Sequence, residues 1–321
     1  MNALVPAMVA ETALSRLLQS VLLLMHMGKV RDTYFLPGFP DKLGVVVTDR
    51  ISIYDRVLKR LVPMKGEVLV ALTVFWLTKI FADVPNHLVA YGAGIDEYLP
   101  ESLRGNLELQ RRMIIVEKLD MLPIECIVRG YLTGTGYTAY TETGKVCGIQ
   151  LQPGLFDGSK LSTPIFTPTN KAAPGKHDVH LNAKAIERKY GSRVREFALE
   201  LYNRGQAHAD LCETILADTK FEFGLRNGRL ILGDEVLTPD SSRFWHVMAY
   251  AAAIARRQAP QGWDKQPTRD AGKKSGMMDN LSDWEVPDEV IAETQDRYLA
   301  IAERLTGYSL PVFQAVVMGI N

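Results

Sequence analysis

The sequence predicts an α+β protein: an antiparallel, β-rich N-terminal part, a central α+β part built on a long hairpin, and a helical C-terminal segment. Three observations carry this reading. Between residues 217 and 233, Thr219, Phe221 and Phe223 alternate with Asp218, Lys220 and Glu222, the period of two that gives a strand one apolar and one charged face. Leu230–Leu232 returns after Asn227-Gly228, the dipeptide that best tolerates the positive φ needed at both centres of a type I′ hairpin turn. Beyond Trp245 the pattern turns helical, and the run from Asp288 to Gly307 has the acidic start and terminal glycine of a helix with defined ends.

Composition narrows the function. With 321 residues, 47% hydrophobic and 23% charged, the chain can form one large or two modest domains. Lys plus Arg and Asp plus Glu are both 37, so the net charge is zero. That removes the electrostatic reason to expect nucleic acid or an anionic membrane as partner, and makes any phosphate recognition local. Cys126, Cys147 and Cys212 are odd in number and lack CxxC spacing, which argues against disulfides and a thiolate metal site and fits a reducing cytoplasm. The run Val21 to Met25 is too short to span a bilayer. Residues 8–20 make a poor signal peptide, because no basic residue precedes Arg16 and Glu11 interrupts the segment; they read as a short helix leading into a strand. Nothing in the pattern speaks to oligomeric state.

Taken in order, apolar strands are expected at Leu22–Met25 and Gly44–Thr48. The turn Gly28-Lys29-Val30-Arg31-Asp32 between them is not a Walker A loop; alone it fits a plain hairpin turn or a glycine-and-cation turn over phosphates. Lys65-Gly66-Glu67 opens a helix through Val68 to Ile80 that reads as core. Met113–Val116 runs through residues 117–123 into Ile124–Val128, and Pro123 makes this a crossing between two layers rather than one strand. Free backbone groups in such a crossing can recognise adenine, by analogy with a kinase hinge. Arg129 ends that strand before the glycine-rich run 130–136, and residues 152–180 read as a long loop, either functional or disordered. His177 and His180 lack a third ligand at metal spacing, and the basic cluster at residues 187–195 reads as a solvated helix face. Val194, Phe197, Ala198, Leu201 and Tyr202 form the buried stripe of the helix that feeds the hairpin.

The charged row of the hairpin could be a solvated edge, but its surroundings argue for a site. The return strand ends in Gly233-Asp234-Glu235, and Asp240 and Arg243 follow before Phe244-Trp245. Paired carboxylates suit Mg²⁺, whose octahedral shell is completed by phosphate and water, and a lysine and an arginine beside them suit the phosphates. This places a geometric demand on the strand. In a regular two-residue hairpin Glu222 faces Gly233 and Phe221 faces Asp234, so Asp234 would point away from Glu222. Both reach one ion only if the return strand leaves the ladder near Gly233.

ADTKFEFG, LGDE and TPDSSRFW resemble, in this order, signature segments of the phosphoribosylaminoimidazole-succinocarboxamide synthase (SAICAR synthetase) family. The resemblance extends to GKVRD, to Thr48–Asp55 beside TDRISAFD with departures at Ile53 and Tyr54, to VEKLDMLPIECIVRGYLTG, to PIFTPTNKAAPGKHD and to the helix from Glu289 to Gly307. It covers roughly residues 28–309 and is poorest at 263–286, where Pro267 replaces an aromatic residue. It implies a SAICAR synthetase-like fold and an ATP-dependent ligase that joins carboxyaminoimidazole ribonucleotide (CAIR) to L-aspartate with Mg²⁺, its partners being these small-molecule substrates. Implied ATP contacts are Gly28, Lys29, Arg31, Lys118, Met121, Lys220, Glu222 and Asp234, with Glu222 and Asp234 as metal ligands. Implied substrate contacts are Arg129, Thr135, Lys171, His177, Asp178, Asp240 and Arg243, with Lys220, Asp218 and Arg243 as the catalytic group. The expected division is an N-terminal helical extension over 1–23, a β-rich domain over 24–115, a nucleotide and substrate domain over 116–256 and a helical segment over 257–321. Two rivals remain at this point, a small-molecule kinase and a non-catalytic nucleotide-binding module.

Overall fold

The computed structural model describes residues 12–171, 179–258 and 260–321. Helix α1 (Ala13–Val21) starts where the Thr12 hydroxyl accepts the Ser15 amide, and buries Leu14 and Leu18. The first layer follows: β1 (Leu24–Met27), β2 (Arg31–Phe35), β3 (Lys42–Val47), the separate hairpin of β4 (Arg50–Ile53) and β5 (Arg56–Leu61), α2 (Lys65–Phe75), β6 (Leu88–Tyr91), α3 (Leu107–Arg112) and β7 (Met113–Glu117). Its sheet is antiparallel throughout, in the order β1-β2-β3-β7-β6. The α-helix expected to reach Ile80 stops at Phe75 and runs on as a π-helical turn, Trp76–Ile80. Its residues are buried on every side, so the apolar spacing that suggested one face belongs to a helix enclosed by the core.

The chain then crosses layers, as Pro123 suggests. β7 belongs to the first sheet, whereas β8 (Asp120–Met121) and β9 (Ile124–Leu132) pair in the second. There follow α4 (Gly134–Thr143), the small pair β10 (Lys145–Val146) and β11 (Ile149–Gln150), β12 (Ser159–Phe166), β13 (Thr169–Asn170), α5 (Ala183–Tyr190) and α6 (Ser192–Leu211). The long central strand is β14 (Thr214–Arg226), with β15 (Arg229–Gly233) and β16 (Ser242–His246) after it, then α7 (Val247–Ile254), α8 (Gln266–Lys274), α9 (Asp288–Thr306) and α10 (Leu310–Val316). β9 and β8 pair along one edge of β14, and β16 and β15 along the other.

Two expectations need correction here. Arg129 does not end its strand: β9 continues to Leu132, and the glycine-rich run opens α4 rather than forming a loop. The glycines reflect close packing instead of chain freedom, since a Cβ on Gly130 would lie 2.0 Å from the Tyr202 hydroxyl and one on Gly134 2.4 Å from the Arg243 guanidinium. Residues 152–180 are not wholly irregular either. β12 lies at the sheet edge, and its register with β9 slips between Lys160 and Ile165, the stretch that holds Pro164; an edge with a bulge is where a strand accommodates proline.

The apolar row of β14 and the stripe of α6 meet as the pattern requires. Phe221 and Phe223 are fully buried, Phe197 stacks on Phe223 with ring centroids 5.2 Å apart, and the Tyr202 hydroxyl donates to the Leu216 carbonyl at 2.6 Å. The same apolar cluster takes in α2, β7, α9 and α10, so the C-terminal helices close the core that the first layer opens. α9 ends on Gly307 at φ +76°, as its sequence indicates. All three cysteines are free. Among the described residues no helix is long and apolar enough to cross a membrane.

The Gly130–Tyr202 contact is measurable by urea unfolding. Gly130→Ala is expected to cost about 1–3 kcal/mol through overpacking, and Tyr202→Phe about 1 kcal/mol through its lost hydrogen bond. The double variant should cost less than the sum, because removing the hydroxyl makes room for the methyl group.

Candidate active site

Strand register assembles the site. Asp218 on β14 lies directly opposite Arg129 on β9 and opposite Arg243 on β16, and opposed residues share a face. Alternation then puts Glu125 and Arg129, with Asp218, Lys220 and Glu222, on one face, back to back with the phenylalanines. The charged row is therefore the floor of a cleft and not a solvated edge. That cleft has a volume of about 1100 Å³, just above the range for a single small ligand, roughly 300–1,000 Å³. Its walls come from the Gly28–Arg31 turn, the β4–β5 turn and residues 260–273.

At one end of the floor, Asp218 Oδ2 accepts from Arg129 Nη1 at 2.7 Å and also from Arg243 Nη1, reached from the neighbouring strand on the other edge of β14. Arg129 also donates to the hydroxyls of Thr167 (3.0 Å) and Thr135 (3.1 Å), so the first turn of α4 is tied to the strand. One carboxylate between two guanidinium groups leaves this end positive. Gly136 lets α4 approach, since a Cβ there would meet Arg129 Nε at 2.9 Å.

The other end is negative. Lys220 Nζ donates to Glu125 at 2.9 Å and Glu222 at 3.3 Å, Lys171 Nζ reaches Glu222 Oε2 at 2.5 Å, and Arg31 pairs with Asp234 (2.6 Å) and Glu235 (3.3 Å). Four carboxylates thus face three cations. Burial works against ionised Glu222, but Lys220 and Lys171 outweigh it and hold the carboxyl at about 2. Burial pushes Asp234 up to about 6; Glu222 and Glu235 add to the rise while Arg31 opposes it. Lys220 loses by burial and gains more from Glu222 and Glu125, so its ammonium is held firmly charged.

The hairpin meets the geometric demand on Asp234. Asn227 and Gly228 both have positive φ, 51° and 74°, and pairing runs regularly from Arg226–Arg229 to Glu222–Gly233. It stops there. Asp234 turns into the left-handed region at φ +61°, and the outer edge of β15 is taken by residues 85–87, with the His87 amide donating to the Leu232 carbonyl at 3.0 Å. Glu222 and Asp234 consequently line the same cleft.

Gly28, Lys29, Arg31, Thr135, Lys171, Lys220, Glu222, Asp234, Asp240 and Arg243 all line the cleft. Arg129 and Asp218 do not: both are buried beneath it, bonded to Thr135 and Arg243, which do. Lys118 and Met121 fall outside its lining. Lys118 is exposed, its Nζ 5.8 Å from the centre of the Phe35 ring, while Met121 packs over Gly233, the direct partner of Glu222. His177 and Asp178 lie outside the described residues. Asp240 sits at the cleft wall with both oxygens engaged: Lys65 Nζ reaches Oδ2 at 2.6 Å, and the Tyr298 hydroxyl reaches Oδ1 at 2.6 Å with Lys265 at 3.6 Å. Burial opposes its ionisation, but Lys265 and Lys65 hold it well below the usual carboxylate range.

Sequence reasoning missed part of the wall. Asp264, Lys265, Gln266 and Arg269 line it from the stretch of poorest motif likeness, where Asp264-Lys265-Gln266 was the available signal. Lys65, fully buried on Asp240, had no role in the sequence reading, where the helix it opens reads simply as core.

The family model described as SAICAR synthetase matches residues 24–283, a span that includes most of the poorly matching stretch. The phosphoribosylaminoimidazole-succinocarboxamide synthases of Saccharopolyspora erythraea and Maridesulfovibrio salexigens are 42% and 41% identical, each over 88% of this chain and 93% of their own length. Among solved structures, the SAICAR-synthase from Saccharomyces cerevisiae complexed with SAICAR superposes with a TM-score of 0.80 at 36% identity, over 91% of this chain and 97% of that one. A family model spanning most of the sequence, and relatives aligned nearly end to end, agree with the hairpin, crossing and cleft: the chain belongs to the SAICAR synthetase family.

Proposed function

We propose that the chain is an ATP-dependent carboxylate–amine ligase that joins CAIR to L-aspartate, giving SAICAR, ADP and phosphate in purine biosynthesis. The observation that supports it best is the polarity of the site, a positive end where Arg243 lines the cleft over the buried Arg129–Asp218 pair, and a negative Glu222–Asp234 end, with Lys220 between them. The positive end suits the anionic ribonucleotide, and the negative end suits a divalent cation carrying a triphosphate.

A carboxylate is a poor acyl donor, so the reaction needs activation. In this reading the γ-phosphoryl group is transferred to the CAIR carboxylate, and the aspartate amine then attacks the acyl carbon and displaces phosphate. Phosphoryl transfer of this kind depends on positioning and charge neutralisation. Lys220 neutralises the moving group, while Arg243, oriented by Asp218 with the buried Arg129 behind it, holds the ribonucleotide. Lys171, paired with Glu222 at the negative end, supplies a cation for a substrate carboxylate. Asp240 acts at one remove, bracing the wall through Lys65, Tyr298 and Lys265. The hard oxygen donors of Glu222 and Asp234, in a cluster with more carboxylates than cations, fit Mg²⁺. When bound, that ion would neutralise and orient the phosphates.

The direct test measures ADP release with CAIR and ATP, with and without L-aspartate. ADP formation that requires aspartate and yields SAICAR supports the ligase; stoichiometric turnover without aspartate would mark a kinase.

Two substitution tests separate the roles. Lys220→Met is expected to lower kcat by about a hundredfold with little change in the KM for CAIR, whereas Arg243→Met mainly raises that KM. Equal effects on both parameters in both variants would reject the division.

Glu222→Gln should raise the Mg²⁺ concentration for half-maximal rate by at least the roughly tenfold seen when an outer-shell partner is lost. An unchanged Mg²⁺ titration would remove Glu222 from the metal site.

A further inference from the structure

The turn between β1 and β2 is gripped from behind by a side chain that the roles above leave unused. Arg50 opens β4 and is only 2% exposed. Its guanidinium forms a bidentate pair with Asp32, itself 1% exposed, at 3.0 Å (Nη1–Oδ2) and 2.5 Å (Nη2–Oδ1). It also donates from Nη2 to the Gly28 carbonyl at 3.0 Å and from Nε to the Lys29 carbonyl at 3.2 Å. Thr48 takes the next carbonyl, its amide and hydroxyl both donating to Val30 O at 2.9 and 2.8 Å. The turn is closed by the Gly28 amide on the Arg31 carbonyl at 2.7 Å.

Three successive carbonyls are therefore drawn inward. In a trans peptide the N–H points opposite to the C=O of the same plane. Fixing the carbonyls of Gly28 and Lys29 on Arg50 turns the amides of Lys29 and Val30 away from it, and both residues line the cleft. Among the described residues these two amides carry no hydrogen bond. Adjacent amides facing one way form a concavity that favours an anion, whereas a freely rotating turn would also present carbonyl dipoles that repel it.

We propose that Arg50 is a positioning residue for nucleotide binding: through Asp32 and the turn carbonyls it holds the Lys29 and Val30 amides toward the polyphosphate. This rests on the reading that the turn covers the phosphates of ATP. A merely structural Arg50 would affect folding, or the binding of every ligand alike. One that orients the turn affects only the phosphate-dependent part of nucleotide affinity.

The test compares a non-hydrolysable ATP analogue with adenosine by calorimetry on the full chain. Arg50→Lys keeps the charge against Asp32 and loses the planar fork. Asp32→Asn with Arg50→Gln removes both buried charges together, so that a folded protein is available if Arg50→Lys is unstable. Lys29→Ala removes a turn cation without touching the grip. Both Arg50 variants are expected to weaken the analogue by roughly ten- to a hundredfold, with adenosine affinity and the KM for CAIR nearly unchanged. Equal weakening of analogue and adenosine, or unchanged analogue affinity, overturns the role of Arg50. If Lys29→Ala weakens the analogue while the Arg50 variants do not, the phosphate-covering turn stands and only the positioning falls. If none of the three alters analogue affinity relative to adenosine, the turn does not meet phosphate and both fall.

Discussion

Asp218 between Arg129 and Arg243 is the constraint on which the rest of the site depends. Three neighbouring strands must keep register for one carboxylate to meet both guanidinium groups, and α4 must pack closely enough for Thr135 to meet Arg129. Arg129 and Asp218 are buried, so removing Asp218 would leave Arg129 as an uncompensated charge in a low-dielectric interior, which commonly costs about 3–5 kcal/mol. The glycines at 134 and 136 follow from this requirement, because side chains there would occupy the space of the arginines. The same arrangement leaves one positive charge in excess, facing the cleft.

β14 reverses that sign within four residues. Side chains on one face recur at every second position, so Asp218, Lys220 and Glu222 span roughly 13 Å. The floor passes from positive, through a lysine, to a cluster in which carboxylates outnumber cations. Such a gradient separates two kinds of ligand without any moving part: an anion with no metal is favoured at one end, and one accompanied by a divalent cation at the other. The break in the ladder after Gly233 is part of the same arrangement. Continued pairing would have placed Asp234 beside Phe221, in the apolar layer under α6.

The walls are assembled from parts of the chain far apart in sequence. Asp240 receives Lys65 from α2, Lys265 from the approach to α8 and Tyr298 from α9, so one buried carboxylate ties the first layer, the central sheet and the C-terminal helices together. Arg50 performs a comparable task elsewhere on the cleft wall, joining β4 to the β1–β2 turn. In both cases a single buried charge, satisfied on every side, sets the position of a backbone segment that lines the cleft.

By itself the sequence determined those features that arise from short-range periodicity and local conformational preference. The two faces of β14, the Asn227-Gly228 turn, the stripe on α6, the limits of α9 and the crossing at Pro123 all follow from neighbouring residues. Even the departure of Asp234 from the ladder could be anticipated, because pairing parity is arithmetic once the turn is known. What only the tertiary structure decided depends on contacts between distant segments. The run 130–136 has the composition of a flexible loop, yet it is strand and helix because Tyr202, Arg129 and Arg243 occupy the space that side chains would need. Lys65, Arg50, Lys265 and Asp240 carry no local mark that separates a buried, paired charge from a solvated one. That distinction lies in the partner, and the partners are 18 to 175 positions away, brought together by the packing of whole layers.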